Sequence, residues 1–156
     1  MNTIELTKVA PLIGLTSTLT TTIATILQDV GNLPEQMMTE LAKNGVECTG
    51  PMVFEYKGVV DGDVHAKIQL KVICPVAKAD SFLSKFTWEE IPGIKALEEK
   101  YVGDMMSIGE KGYGKMMADA AQAQIEFTDS CREVYLNWVS PESTENEILI
   151  QMEVQS

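Results

Sequence analysis

Residues 131–137 read Cys131-Arg132-Glu133-Val134-Tyr135-Leu136-Asn137, and an echo stands 79 residues earlier in Met52-Val53-Phe54-Glu55-Tyr56-Lys57-Gly58. Both stretches have the β-branched and aromatic content of strands. Strand geometry turns alternate side chains to opposite faces. Glu133, Tyr135 and Asn137 therefore share one face, and Val134, Leu136 and Trp138 the other. Val134 and Leu136 are the natural residues to pack beneath a helix, which leaves Glu133 and Tyr135 looking away from it, toward a groove. By the same spacing Phe54 and Tyr56 take the matching places.

The echo extends outward in both directions. Residues 35–49 overlie residues 114–128, with coincidences at Met37/Met116, Met38/Met117, Ala42/Ala121, Glu47/Glu126 and Thr49/Thr128. Ile68-Gln69-Leu70-Lys71-Val72 overlies Ile150-Gln151-Met152-Glu153-Val154 after a somewhat longer loop. Two blocks in the same order point to an internal duplication. The expected class is α+β: a tandem strand-helix-strand-strand duplication with pseudo-two-fold symmetry, an antiparallel sheet and a central ligand groove. One domain would span 1–156, with pseudo-repeats 1–75 and 91–156 and a connector 76–90.

Residues 3–19 read as one long strand with an irregularity at Pro11. Asn32 and Pro34 open a helix over 34–44, with Met37, Met38, Leu41 and Ala42 on one stripe and Gly45 as its left-handed end. Strands are expected at 52–58 and 64–74, the second alternating Val64, Ala66, Ile68, Leu70 and Val72 inward. Asp61-Gly62-Asp63 is a turn between them. A short helix is expected near 79–85, in a connector carrying Phe82, Leu83, Phe86 and Trp88. A strand follows at 94–102 and a helix over 105–124. That helix is weak at its start because of Gly109, Gly112 and Gly114. Strands at 131–138 and 148–154 complete the second half.

The chain of 156 residues is 45% hydrophobic and 22% charged, as in soluble globular proteins, and carries a formal charge of −11. That charge disfavours direct contact with nucleic acid, and no basic cluster offsets it. It favours cationic ligands. The three cysteines, Cys48, Cys74 and Cys131, form no CxxC motif, and neither a leader nor a membrane-spanning segment is expected. A cytoplasmic protein with packed thiols is expected. His65 is the single histidine, which removes most metal sites and the Ser-His-Asp triad. The expectation is therefore no metal, no cofactor and no catalytic residue.

Phe54, Tyr56 and Tyr135 with Glu133 suit a lipophilic cation: rings for apolar area and cation–π attraction, a carboxylate for charge. Trp88 and Tyr101 would add walls. The competing reading is a solvated glutamate on an open sheet with tyrosines as cross-strand packing.

Residues 131–137, the Pro/acidic loop at 141–145 and the strand at 148–154 resemble the C-terminal signature of the GyrI-like family. This family is also described as the effector-binding domain of AraC-type and MerR-type multidrug-sensing regulators. Tyr101-Val102-Gly103 resembles a second element, as does Pro51 followed by an aromatic strand and Asp61-Gly62-Asp63. The resemblance implies a tandem strand-helix-strand-strand fold. It also implies a groove for hydrophobic, often cationic and aromatic, small molecules, with Glu133 at the family's acidic position. The chain has no room for a DNA-binding helix-turn-helix, so the expectation is a free-standing binding module. As an alternative, the resemblance implies a hydrolase of reactive genotoxins acting through the pocket glutamate, or an inhibitor that partners gyrase. A separate regulator as partner and a homodimer are left open.

Overall fold

A proline decides how the sheet closes. The computed structural model describes residues 5–59, 63–79 and 85–155. The long strand expected over 3–19 is split at Pro11 into β1 (Thr7–Val9) and β2 (Leu12–Thr21), because proline offers the ladder no N–H. Opposite the split, Pro92 and Gly93 separate β5 (Thr87–Ile91) from β6 (Ile94–Val102). Register runs straight through the double break: Val9 faces Ile94, and Leu12 faces Ile91. A Cβ on Gly93 would stand 2.4 Å from the Val9 carbonyl oxygen, so only glycine allows the two backbones this close.

The other strands are β3 (Val53–Lys57), β4 (Ile68–Val76), β7 (Phe127–Asn137) and β8 (Glu147–Val154). Together they form an 8-stranded antiparallel sheet in the order β1-β6-β8-β7-β3-β4-β2-β5. Its two ends are tied by chain continuity, β1 into β2 and β5 into β6, and the sheet curls into a half-barrel. With α1 (Ile26–Val30), α2 (Leu33–Lys43) and α3 (Gly114–Gln122) the class is α+β.

Strand-helix-strand-strand occurs twice, as β2-α2-β3-β4 and β6-α3-β7-β8. In the sheet β6-β8-β7 mirrors β2-β4-β3, with β7 and β3 adjacent at the centre. Phe54 lies directly opposite Glu133. These two are also equivalents in the repeat, so the pseudo-two-fold axis passes between them. The pairing Tyr56 opposite Cys131 has its counterpart in the Tyr135 N–H, which donates to the Met52 carbonyl at 3.0 Å.

Both long helices lie on one face. α2 buries Met37 and Leu41 against Tyr56, Leu70 and Val72. α3 buries Met116 and Ala120 against Ile148 and Ile150, with Tyr135 alongside. The other face carries Val53, Ile73 and Ile91, with Leu12 and Val134. There Arg132 donates from Nε to Glu55 Oε2 and from Nη2 to the Pro92 carbonyl, each at 2.9 Å. A central strand thus reaches the β5–β6 break, which makes this face the inside of the curl. The facing expected for residues 133–136 is therefore corrected. Glu133 and Tyr135 lie on the helix side, Val134 lines the inner face, and Leu136 is half exposed. Both sheet faces are covered, and alternation alone does not say which cover is helical.

Further corrections are local. β4 begins at Ile68, not Val64; the Asp63 carboxylate accepts the His65 N–H at 3.0 Å, holding 63–66 in a turn with Val64 exposed. β4 continues through Pro75, where β3 has already ended and only β2 is a neighbour. β5 takes up the end of the expected connector, with Trp88 on it. Ile108–Tyr113 is a π-helical turn leading into α3, not a frayed α-helix. Gly62 and the short helix foreseen around Phe82 and Leu83 lie outside the described residues.

Candidate functional site

Three phenols converge on one carboxylate. Tyr56 donates to Glu133 Oε1 at 2.8 Å and Tyr135 to the same oxygen at 2.6 Å. Tyr113 donates to Oε2 at 2.5 Å. Tyr56 reaches across from β3, Tyr135 sits two residues along β7, and Tyr113 comes down from the last residue of the π-helical turn. Glu133 is only 4% exposed, and among the described residues no Lys, Arg or His ion-pairs with it. A buried carboxylate needs its oxygens satisfied. Here three O–H donors do so without cancelling the charge.

The phenols answer to that charge. Burial first, and the Glu133 carboxylate second, hold Tyr56, Tyr113 and Tyr135 well above the ordinary tyrosine range. All three stay protonated donors at neutral pH. Cys131, the neighbour of Tyr113, is pushed up to about 12, again by burial and then by Glu133.

Above this cluster lies a cavity of about 630 Å³. Its floor is Phe54, Tyr56 and Tyr135. The Phe54 ring meets Tyr135 edge-on at 4.8 Å and 71°, and Trp138 meets the far side of Tyr135 at 5.6 Å and 88°. α1 and α2 supply one wall through Ile26, Leu27, Val30 and Met38, while Met52 and Met105 complete it. Trp138 and Leu27 are 44% and 58% exposed and mark the mouth. Glu133 is not on the cavity wall. It stands behind Tyr56 and Tyr135, whose oxygens it polarises.

Phe54, Tyr56, Tyr135 and Glu133 are thus brought together. Trp88 and Tyr101 are not. Trp88 packs into the half-one core from β5. Tyr101 packs against α3 and donates to the Asp104 carbonyl at 2.5 Å; it borders a smaller depression with Lys111 and Lys115. Cys131 is buried and does not line the cavity. Sequence reasoning missed Tyr113, Trp138 and Met52; it read Met38 and Met105 first as core, with groove adaptation as the alternative, and both line the cavity. The repeat held a signal for one of them, since Met105 is the equivalent of Ile26 and both line the cavity. Trp138 was placed on the opposite face because the strand was read as regular. A register irregularity between Tyr135 and Asn137 carries it round to Tyr135. Among the described residues no group of three His, Cys, Asp or Glu could hold a metal ion, and no helix is long and apolar enough to cross a membrane.

No family model and no curated protein matches the chain. Solved structures do match. The C-terminal domain of EcmrR superposes with a TM-score of 0.76 at 17% identity, covering 97% of this chain and 96% of that one. EcmrR in an EcmrR–DNA complex gives 0.75 at 18% identity, covering 97% of this chain and 56% of that one. This chain therefore spans little more than half of that longer protein. SAV2435, solved bound to tetraphenylphosphonium, gives 0.64 at 12% identity, covering 99% and 94%. The chain shares the fold of the EcmrR C-terminal domain and of SAV2435, consistent with the GyrI-like fold that the resemblance implied.

Proposed function

We propose that this chain binds lipophilic organic cations in the aromatic cavity, as a small-molecule binding module. The observation that carries the reading is Glu133, a buried carboxylate directly behind the cavity floor, with three phenol partners and, among the described residues, no cation paired to it. A ligand cation against Phe54, Tyr56 and Tyr135 completes the charge balance. It gains cation–π attraction from the rings and Coulomb attraction from a carboxylate screened from water. A cavity of this volume falls in the range of drug-sized ligands. Met38, Met52 and Met105 give walls that adapt to varied shapes. The formal charge of −11 raises the local concentration of cations. SAV2435, of similar fold, is known with a lipophilic cation, which makes tetraphenylphosphonium a suitable probe.

The test is a thermal-shift panel of organic cations beside neutral molecules of matched shape. A cation present at a hundredfold its Kd should stabilise the fold by about 2.7 kcal/mol. Equal stabilisation by neutral or anionic analogues, or none by any cation, would overturn the reading.

A further inference from the structure

Two of the three cysteines and a methionine come together at the edge of the half-one core. Cys74, near the end of β4, is fully buried and donates its thiol to Met52 Sδ at 3.1 Å. The Cys48 sulfur is the second neighbour of that thiol. Cys48 turns its own S–H to the Gly50 carbonyl at 3.1 Å. The backbone fixes the group: the Thr49 N–H donates to the Pro75 carbonyl at 2.9 Å, one residue along from each cysteine. All three sulfurs belong to one apolar cluster with Leu15 and Val76. Cys131 stands apart, beside Tyr113.

We propose that Cys48, Cys74 and Met52 form a three-sulfur site for a soft monovalent cation of the copper(I) class. Two thiolates and a thioether are the donors that such an ion prefers over oxygen or nitrogen. Cys74 neighbours both of the other sulfurs, so the three need shift only modestly to admit an ion between them. Cys48 and Met52 are both partly exposed, and Met52 borders the cavity, so an ion has a way in. Binding replaces the two S–H protons, which pass to solvent, while the thioether coordinates without a proton change. The complex carries one net negative charge. Burial, then Cys48, pushes the Cys74 thiol up to about 12. Cys74 therefore stays protonated at neutral pH, and binding should release protons as both thiols become thiolates.

The reduced protein is titrated without oxygen, using silver(I) as an air-stable probe and then copper(I). Uptake is followed by native mass spectrometry, and proton release by a pH indicator. Wild type and Cys131→Ser should each hold one ion per chain, with a raised Tm and protons released. Cys48→Ser should lose the tight ion. Met52→Leu should weaken binding at least tenfold, and the wild-type X-ray absorption spectrum should fit three sulfur neighbours. Cys48 is partly exposed, so its serine variant should keep the fold, checked by its metal-free Tm. Protection of Cys48 from iodoacetamide by silver gives the same answer in unmutated protein. Undiminished uptake by Cys48→Ser, loss of uptake in Cys131→Ser, or a spectrum with oxygen or nitrogen neighbours would overturn the proposal.

Discussion

The two halves use the same sheet and the same helix faces, yet one leaves a cavity and the other fills it. Met37 and Met116 are equivalents and both are fully buried; Met38 and Met117 are equivalents and both are nearly half exposed. The difference lies in what precedes each helix. In half one the five-residue α1 and the turn at Gly31 stand off from β3, leaving space over Phe54 and Tyr56. In half two the π-helical turn runs without a break into α3 and brings Tyr113 down onto Glu133. Gly112 makes this approach possible. A Cβ there would meet Ile150 Cδ1 at 2.9 Å and Ile108 Cγ1 at 3.2 Å. Its equivalent in half one is Leu33, the first residue of α2. A duplicated scaffold has thus divided its labour: one half supplies the space, the other the third donor to the carboxylate.

The largest effect separating the halves should appear at alkaline pH. Tyr56, Tyr113 and Tyr135 hold their protons well beyond pH 10 in the folded state, whereas the unfolded chain releases them near pH 10. Unfolding then releases protons. The stability that the neutral phenols confer is complete below pH 10 and is lost above it, at about 1.4 kcal/mol per pH unit for each phenol. Ultraviolet titration should show Tyr101, raised less and chiefly by burial, ionising first. The other three should ionise only with cooperative loss of structure. Independent titration of all four near pH 10 would mean that the cluster is open to water.

Next in size is Gly112→Val, which overpacks the approach of the π-helical turn to β8. It should cost about 1–3 kcal/mol by urea unfolding and release Tyr113 from Glu133. A stable variant with Tyr113 still bonded would show that glycine is not what permits the close packing. Comparable in size is Tyr113→Phe, which removes the donor to Glu133 Oε2 and should cost about 1.5–3 kcal/mol while leaving the half-one cavity intact. A large loss of ligand affinity in this variant would show that the cavity and the third donor are not separable.

Sequence spacing revealed the scaffold because duplication preserves register. The equivalence of Phe54 and Glu133 located the axis, and strand alternation placed Tyr56 and Tyr135 beside it. Tyr113 escaped because a π-helical turn is set by how closely Gly112 packs on Ile150, a tertiary fact with no local propensity behind it. Three nearby glycines read simply as a weak helix. Trp138 escaped because one irregular residue step reverses the face of every side chain beyond it. Trp88 and Tyr101 were grouped with the pocket as aromatic residues, but their strands direct them into the cores.

The central claim is that the charge of Glu133, acting through Tyr56 and Tyr135, selects cations in the cavity. Calorimetric titration of tetraphenylphosphonium and of a neutral triphenyl analogue into wild type and Glu133→Gln tests it most directly. The cation should bind the variant about tenfold or more weakly, the effect of one full charge screened from water, and the neutral analogue should bind both proteins alike. Equal cation affinity for the two proteins would contradict the account.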